Sequence, residues 1–356
     1  MNISIIGIVS QAVYFIILLG ISIIGYYFLL KHREIHLPQK KNNTGERFAS
    51  QTKPIIGGTV FFISIVLAFV YTTIQGLGNG ILPPYALLIC CTLAFGMGYI
   101  DDVKNFSPLF KLVFQILCAA IFIATDTHIK TSDNIFLNYS LTLFWVVGLM
   151  NSINMLDNMD GITASISTII FIGLATLSNG SDTTIMLAIL ASLAAFLIWN
   201  WHPAKMYMGD NGSQLLGVLL SYFSIEYVWN SSNNYIGFNY SQLIFVSLMF
   251  IVPLIDTTTV AINRFLGGRS PFVGDRYHTT HCLVYKGLTI PKTVLLLDFI
   301  NAIGCFLAVF FIITSNGKLT HCEAAILATF FGATFAVAYI TNLIIRKKNN
   351  LLYHHG

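Results

Sequence analysis

The sequence predicts an all-α, polytopic integral membrane protein: a bundle of ten or eleven transmembrane helices with its functional residues in loops at the cytoplasmic face. Three observations predict it. Only 10% of the 356 residues are charged and 55% are hydrophobic, against roughly 25% charged in an ordinary soluble domain. Apolar runs of near-spanning length recur from end to end, as a hydrocarbon core about 30 Å thick requires. Lysine and arginine are segregated in the way alternating spans produce. Such spans form one unit, so residues 1–356 are read as a single domain. The net charge of +4 is modest and gives no reason to expect a nucleic-acid partner. Most of the six cysteines lie within or at the ends of apolar runs and none shows metal or disulfide spacing, so they read as small apolar residues.

The expected spans are 4–30, 55–75, 82–100, 108–125, 134–153, 161–178, 184–200, 213–229, 242–262, 293–314 and 323–345. The first apolar run, Ile3 to Leu30, has only Met1 and Asn2 before it, without a basic flank or small-residue cleavage site, and is expected to be retained. The fifth and sixth run almost continuously through Asn151–Gly161, as one long protruding helix or as a tight turn. With the N-terminus outside, every Lys and Arg except Lys130 and Lys318 falls on the inner side, which orients the chain. The outer connections are mostly short and rich in Gly, Asn and Ser, as plain turns are. No internal repeat is apparent.

The inner connections carry polar clusters that a simple turn does not need. Asp101-Asp-Val-Lys104 follows the third span, and Asn151-Ser-Ile-Asn-Met-Leu-Asp-Asn-Met-Asp-Gly161 the fifth. Met208-Gly-Asp-Asn-Gly-Ser213 follows the seventh, and the long stretch from Arg264 to Lys292 the ninth. Asn154, Asp157 and Asp160 are three apart, which on a helix is one face. One side of the bundle thus gathers Asp101, Asp102, Asp157, Asp160, Asp210 and Asp275 with Lys104, Arg269, Arg276, His278 and His281. Carboxylates in one basin repel one another, and Mg²⁺ (or Mn²⁺ in its place) relieves this while keeping room for water and substrate phosphates. Adjacent Arg and Lys suit a phosphate or pyrophosphate. The parts suggest transfer from a phosphorylated donor at the membrane face, where positioning and charge stabilisation carry most of the catalysis.

Each cluster has an ordinary reading as well. Asp101 and Asp102 with Lys104 fit a solvated helix end, Asp157, Asp160 and Asp210 fit helix N-termini, and the histidines fit a polar surface. Asp256 reads equally as a satisfied buried carboxylate or as part of the basin. The rival function is an ion-coupled transporter, which calls for carboxylates deep in the spans; only Asp256, Glu226 and Asp298 come close.

Taken in order, the four clusters, with Pro54-Ile-Ile-Gly-Gly58 and Asp275-Arg-Tyr-His-Thr-Thr-His281, resemble the polyprenyl-phosphate N-acetylhexosamine-1-phosphate transferase family (glycosyltransferase family 4). The likeness extends over residues 54–281 and is nearest to the undecaprenyl-phosphate GlcNAc-1-phosphate branch. It implies transfer of a HexNAc-1-phosphate, GlcNAc-1-phosphate by default, from a UDP-sugar to undecaprenyl or another polyprenyl phosphate. UMP would be released and Mg²⁺ required, as the first membrane step of a cell-envelope polysaccharide. It also implies a bacterial inner membrane, a cytoplasmic active site and compatibility with a homodimer. By motif, Asp101 and Asp102 correspond to the acidic pair near the lipid phosphate, with Lys104 a further phosphate contact. Asn154, Asp157 and Asp160 correspond to the nucleotide-sugar and metal-proximal motif, and Asp210 to the metal ligand. Arg276, His278 and His281 correspond to the loop that grips the pyrophosphate. The chain departs from the pattern at Asn158, where Gly is common, and in His-Thr-Thr-His, which lacks a middle histidine many relatives have.

Overall fold

The computed structural model describes residues 5–32, 53–79, 84–104, 106–232, 238–266, 268 and 278–353. Among the described residues the protein is helical throughout, apart from one isolated bridge between Ile55 and Tyr207. Its helices are α1 (Ile5–Lys31), α2 (Gly57–Asn79), α3 (Tyr85–Lys104), α4 (Pro108–Ala124), α5 (Ile135–Leu156), α6 (Ile162–Leu177) and α7 (Gly180–Asn200). They continue with α8 (Gly209–Ser224), α9 (Tyr240–Met249), α10 (Ile251–Leu266), α11 (Thr279–Tyr285), α12 (Ile290–Thr314) and α13 (His321–Tyr353). A π-helical turn, Ile225–Trp229, extends α8.

Local chemistry sets several of these boundaries. Pro108 opens α4 directly after Ser107, at a position where its missing N–H costs nothing. Asn134 caps α5 by accepting from Phe136 N (3.0 Å) and Leu137 N (3.3 Å), and Asn239 caps α9 through Ser241 N (3.0 Å). Gly161 takes φ +82°, a left-handed conformation that side chains resist. This breaks α5 from α6, so the connection is a tight turn and not a protruding helix.

Each of the eleven expected spans is present as a helix or a helix pair. Seven described helices are long and apolar enough to cross a bilayer, α9 and α10 form a pair bent by 90°, and α4 and α6 are shorter apolar helices. The chain is thus a multi-pass membrane protein. The right-angle break at Phe250 and the short α11 are absent from the hydropathy pattern.

At the centre stands α8, whose every residue is buried, with α2, α3, α5 and α6 packed around it. Gly98, Gly212 and Gly217 allow backbone to approach backbone there, the packing that bilayer helices use because lipid supplies no hydrophobic drive between them. Tyr26, Phe61 and Phe196 clamp α1, α2 and α7 together with ring centroids 5.3–6.4 Å apart. Large apolar side chains such as Ile24, Phe306 and Val337 face outward on α1, α12 and α13, as a lipid solvent permits.

Candidate active site

The segment at Pro54, the end of α3, the α5–α6 turn, the α7–α8 connection and the start of α11 meet at one end of the bundle. A strap ahead of α2 holds the segment leading into α8. Tyr207 N donates to Pro54 O (3.0 Å), Ile56 N and Gly57 N donate to Tyr207 O (3.3 and 3.2 Å), and Gly58 N donates to Met208 O (3.4 Å). The Pro54-x-x-Gly-Gly motif is therefore structural at this level: it seats the N-terminus of α8.

Asp102, buried at the end of α3, completes that seating. It accepts from Asp210 N (3.0 Å), Asn211 N (3.1 Å) and Asn211 Nδ2 (2.7 Å). An anion is favourable there because the first N–H groups of α8 have no helical partner. Asp101, beside it, accepts from Phe106 N (2.8 Å). Its other oxygen lies 2.7 Å from Lys111 Nζ. The same ammonium pairs with Asp210 Oδ2, so Asp101 and Asp210 converge on one cation. Lys111 stands one turn inside α4 and carried no assigned role in the motif reading. Lys104, which did, is exposed at the end of α3. Beyond Lys111 the polar path continues along the spans: Gln115 Nε2 donates to Asn151 Oδ1 and to Gln214 Oε1 (both 3.2 Å). Ser213 Oγ donates to Asn154 Oδ1 (3.4 Å).

In the central turn, α5 ends at Leu156, Asp157 is its C-cap residue and Asp160 precedes Gly161. Asn154, Asp157 and Asp160 therefore do not share one helix face: α5 ends between Asn154 and Asp157, and the two acids lie in the turn. Asp160 Oδ2 accepts from Ala204 N (3.1 Å) and faces His202 Nδ1 at 2.9 Å, which binds the turn to the α7–α8 connection. Asn158, between the two acids, reaches the other way. Its Oδ1 accepts from Thr280 Oγ1 (2.7 Å), and its carbonyl oxygen lies 3.5 Å from His281 Nε2.

His278 and His281 are buried at the start of α11, their rings edge to face at 5.5 Å. His278 Nδ1 lies 2.8 Å from Asp256 Oδ2, and Thr279 N donates to Asp256 Oδ1 (2.7 Å). Asp256 is thus a satisfied buried carboxylate that orients His278. Arg269, Asp275 and Arg276 lie outside the described residues.

The donor chemistry suits a hard divalent cation. Asp101 and Asp210 present oxygens to a common point, where the Lys111 ammonium stands. Mg²⁺ is usually held by one or two carboxylates, with waters and substrate phosphates completing its shell. No group of three or more His, Cys, Asp or Glu suited to a metal occurs among the described residues. Beside α11 an apolar cavity of about 480 Å³ opens between α10, α12 and α13, with Asp256, Thr279 and Thr280 on its wall.

Fold and site together define a multi-pass helical membrane protein that collects carboxylates, an ammonium and imidazoles at one end of its bundle. Residues 84–228 match the family model for glycosyl transferase family 4. This stretch contains the motifs at Asp101, Asn154–Gly161 and Met208–Ser213; the strap at Pro54 and α11 lie outside it. The chain is 29% identical over 270 residues, 70% of its length and 71% of the relative's, to a Bacillus subtilis protein named "Probable undecaprenyl-phosphate N-acetylglucosaminyl 1-phosphate transferase". It is 27% identical over 294 residues to the decaprenyl-phosphate N-acetylglucosaminephosphotransferase of Mycobacterium tuberculosis, covering 72% of each. Over 200 residues it is 35% identical to the phospho-N-acetylmuramoyl-pentapeptide-transferase of Staphylococcus carnosus, covering 48% of this chain and 61% of that one. These relatives are transferases by name and give the transporter reading no support.

Proposed function

We propose that the protein transfers an N-acetylhexosamine-1-phosphate, by default GlcNAc-1-phosphate, from its UDP-sugar to a polyprenyl phosphate, releasing UMP. The observation that carries this is the convergence of Asp101 and Asp210 on one cation site at the end of the bundle where the other motif loops assemble. The reading places that end at the cytoplasmic face of a bacterial inner membrane, because nearly all Lys and Arg follow it.

The acceptor phosphate needs little activation, since the second pKa of a phosphomonoester is about 6. Its oxygen attacks the β-phosphorus of the donor; the new P–O bond forms as the bond to the α-phosphate oxygen breaks, and UMP departs with that oxygen. Asp210 and Asp101 would hold Mg²⁺, which supplies charge neutralisation for the pyrophosphate when bound. Lys111, between the same carboxylates, is placed to share that negative charge. Asp102 acts through α8 as a positioning residue. His278, His281 and Arg276 would meet the donor pyrophosphate, with Asn154, Asp157 and Asp160 beside the nucleotide sugar and Lys104 at the solvent edge. The apolar cavity beside α11 offers lipid-chain space next to the same groups.

The test is UMP release by purified protein given undecaprenyl phosphate, Mg²⁺ and a panel of UDP-sugars. Turnover with at least one UDP-N-acetylhexosamine is expected, with Asp210→Asn reducing it at least about a hundredfold, the scale of losing a preorganised charge interaction, while the protein still inserts and folds. No UMP with any member of the panel would overturn the reading. Near-normal turnover by Asp210→Asn in Mg²⁺ would remove the metal from Asp210.

A further inference from the structure

Among the contacts at the active end, one ties together two loops that the transfer chemistry leaves independent. Asn158 lies in the α5–α6 turn between Asp157 and Asp160; Thr280 is fully buried in the first turn of α11 between His278 and His281. Thr280 Oγ1 donates to Asn158 Oδ1 at 2.7 Å. The amide cannot turn freely to meet it, because Asn158 Nδ2 donates to Met155 O at 2.9 Å. That second bond points the carbonyl end of the amide toward α11. Asn158 also presents its backbone oxygen 3.5 Å from His281 Nε2. Helix α11 is therefore pinned at two places: His278 to Asp256 on α10, and Thr280 to the turn that carries the acids.

We propose that the Asn158–Thr280 hydrogen bond is a positioning latch, setting the distance between the imidazole-bearing helix and the acid-bearing turn and so the affinity for the nucleotide-sugar donor. This rests on the transferase reading. The two sides of the latch carry groups of opposite kind: His278 and His281 suit a pyrophosphate, whereas Asp157 and Asp160 suit a cation and sugar hydroxyls. A ligand spanning both needs the gap fixed in advance, and preorganisation of this sort improves binding by removing an ordering cost. The lipid acceptor does not need to bridge this gap. Neither residue of the pair has to touch substrate for it to matter. Each supplies what the other requires, a fixed acceptor and a hydroxyl donor.

A buried neutral hydrogen bond contributes modestly, so its loss is expected to raise the donor KM about three- to tenfold. Thr280→Val, which keeps shape and removes the hydroxyl, should show this rise in donor KM with kcat unchanged. Thr280→Ser, which restores the donor, should return donor KM to the wild-type value. Asn158→Ala should reproduce the effect, and the double variant should be no worse than either single one. A Thr280→Val donor KM within twofold of wild type, or additive effects in the double variant, overturns the latch. The same four proteins are to be compared by thermal unfolding in detergent without substrate. A double variant no less stable than Asn158→Ala, which also loses the bond to Met155 O, supports the latch, and additive losses sink it. That comparison holds even if the wild type releases no UMP, an outcome that defeats the transferase reading separately.

Discussion

Lys111 decides how two carboxylates can sit together at the edge of a membrane. Its side chain is 20% exposed, that of Asp101 only 3%, so solvent screens the trio little. Breaking a buried pair by removing one partner costs roughly 3–5 kcal/mol because it strands the opposite charge; partial exposure lowers this to about 2–3 kcal/mol here. Lys111→Met is therefore expected to destabilise the protein by about that amount and to reduce UMP release at least tenfold. It also exposes Asp101 and Asp210 to other cations. Millimolar Mg²⁺ should raise the melting temperature of Lys111→Met more than that of the wild type, and equal shifts would remove Asp101 and Asp210 as a shared cation site. Sequence pattern favoured Lys104 over Lys111 because Lys104 sits inside a polar motif. The signal for Lys111 was a lone ammonium one turn within an apolar helix, the kind of residue that a bilayer makes costly unless it is partnered. Asp102 is the converse case. It stands beside Asp101 in sequence, but its oxygens are taken by the N-terminus of α8, a role that pairing in space alone could disclose.

At the scale of the element, hydropathy located a helix or helix pair at each of the eleven expected segments, seven of the helices being long and apolar enough to cross a bilayer, because length and apolar content are what a bilayer selects. The same signals are silent on events inside a span. The right-angle break between α9 and α10 replaces one expected helix by two, and it brings Asp256 to α11. The buried polar head of α8 was legible as a motif, but its depth was not, since residues 208–212 were expected in a polar loop ahead of the span at 213–229. What makes that depth achievable is the close approach of α3 to α8. A Cβ on Gly98 would lie 2.5 Å from Asn211 Cα and N and from Asp210 O, all backbone, whereas one on Gly96, a half-turn away, meets nothing within 4 Å. Gly98→Ala is expected to cost about 2–3 kcal/mol by overpacking and to displace Asp210, lowering activity with stability. Gly96→Ala should be neutral or up to about 1 kcal/mol stabilising, from helix propensity. Thermal unfolding of the two variants checks the contrast; equal behaviour would mean that α3 and α8 do not meet at Gly98.

For the whole molecule, the two ends of the bundle are chemically distinct, and orientation is the remaining question. The active end holds the bonds from Asp102 to α8, Asp160 to the α7–α8 connection and Asn158 to α11. The opposite end is held by Lys130 N donating to Asn230 Oδ1 (2.8 Å) and Leu319 N donating to Ser241 Oγ (3.1 Å). The proposed orientation, argued from the charge bias, has the active end inside. The cysteines provide a test that needs little engineering: five are buried, and Cys322, at the start of α13 on the opposite end, is exposed. A membrane-impermeant thiol reagent is thus expected to label the native protein in right-side-out vesicles through Cys322, and labelling should vanish in Cys322→Ser. Lys104→Cys in that background places a thiol on the exposed end of α3, and it should react only after the vesicles are opened. The reverse pattern would put the carboxylates, Lys111 and the histidines outside, away from any cytosolic nucleotide sugar. A transferase drawing its donor from the cytosol would then be untenable, whatever the local geometry of Asp101 and Asp210.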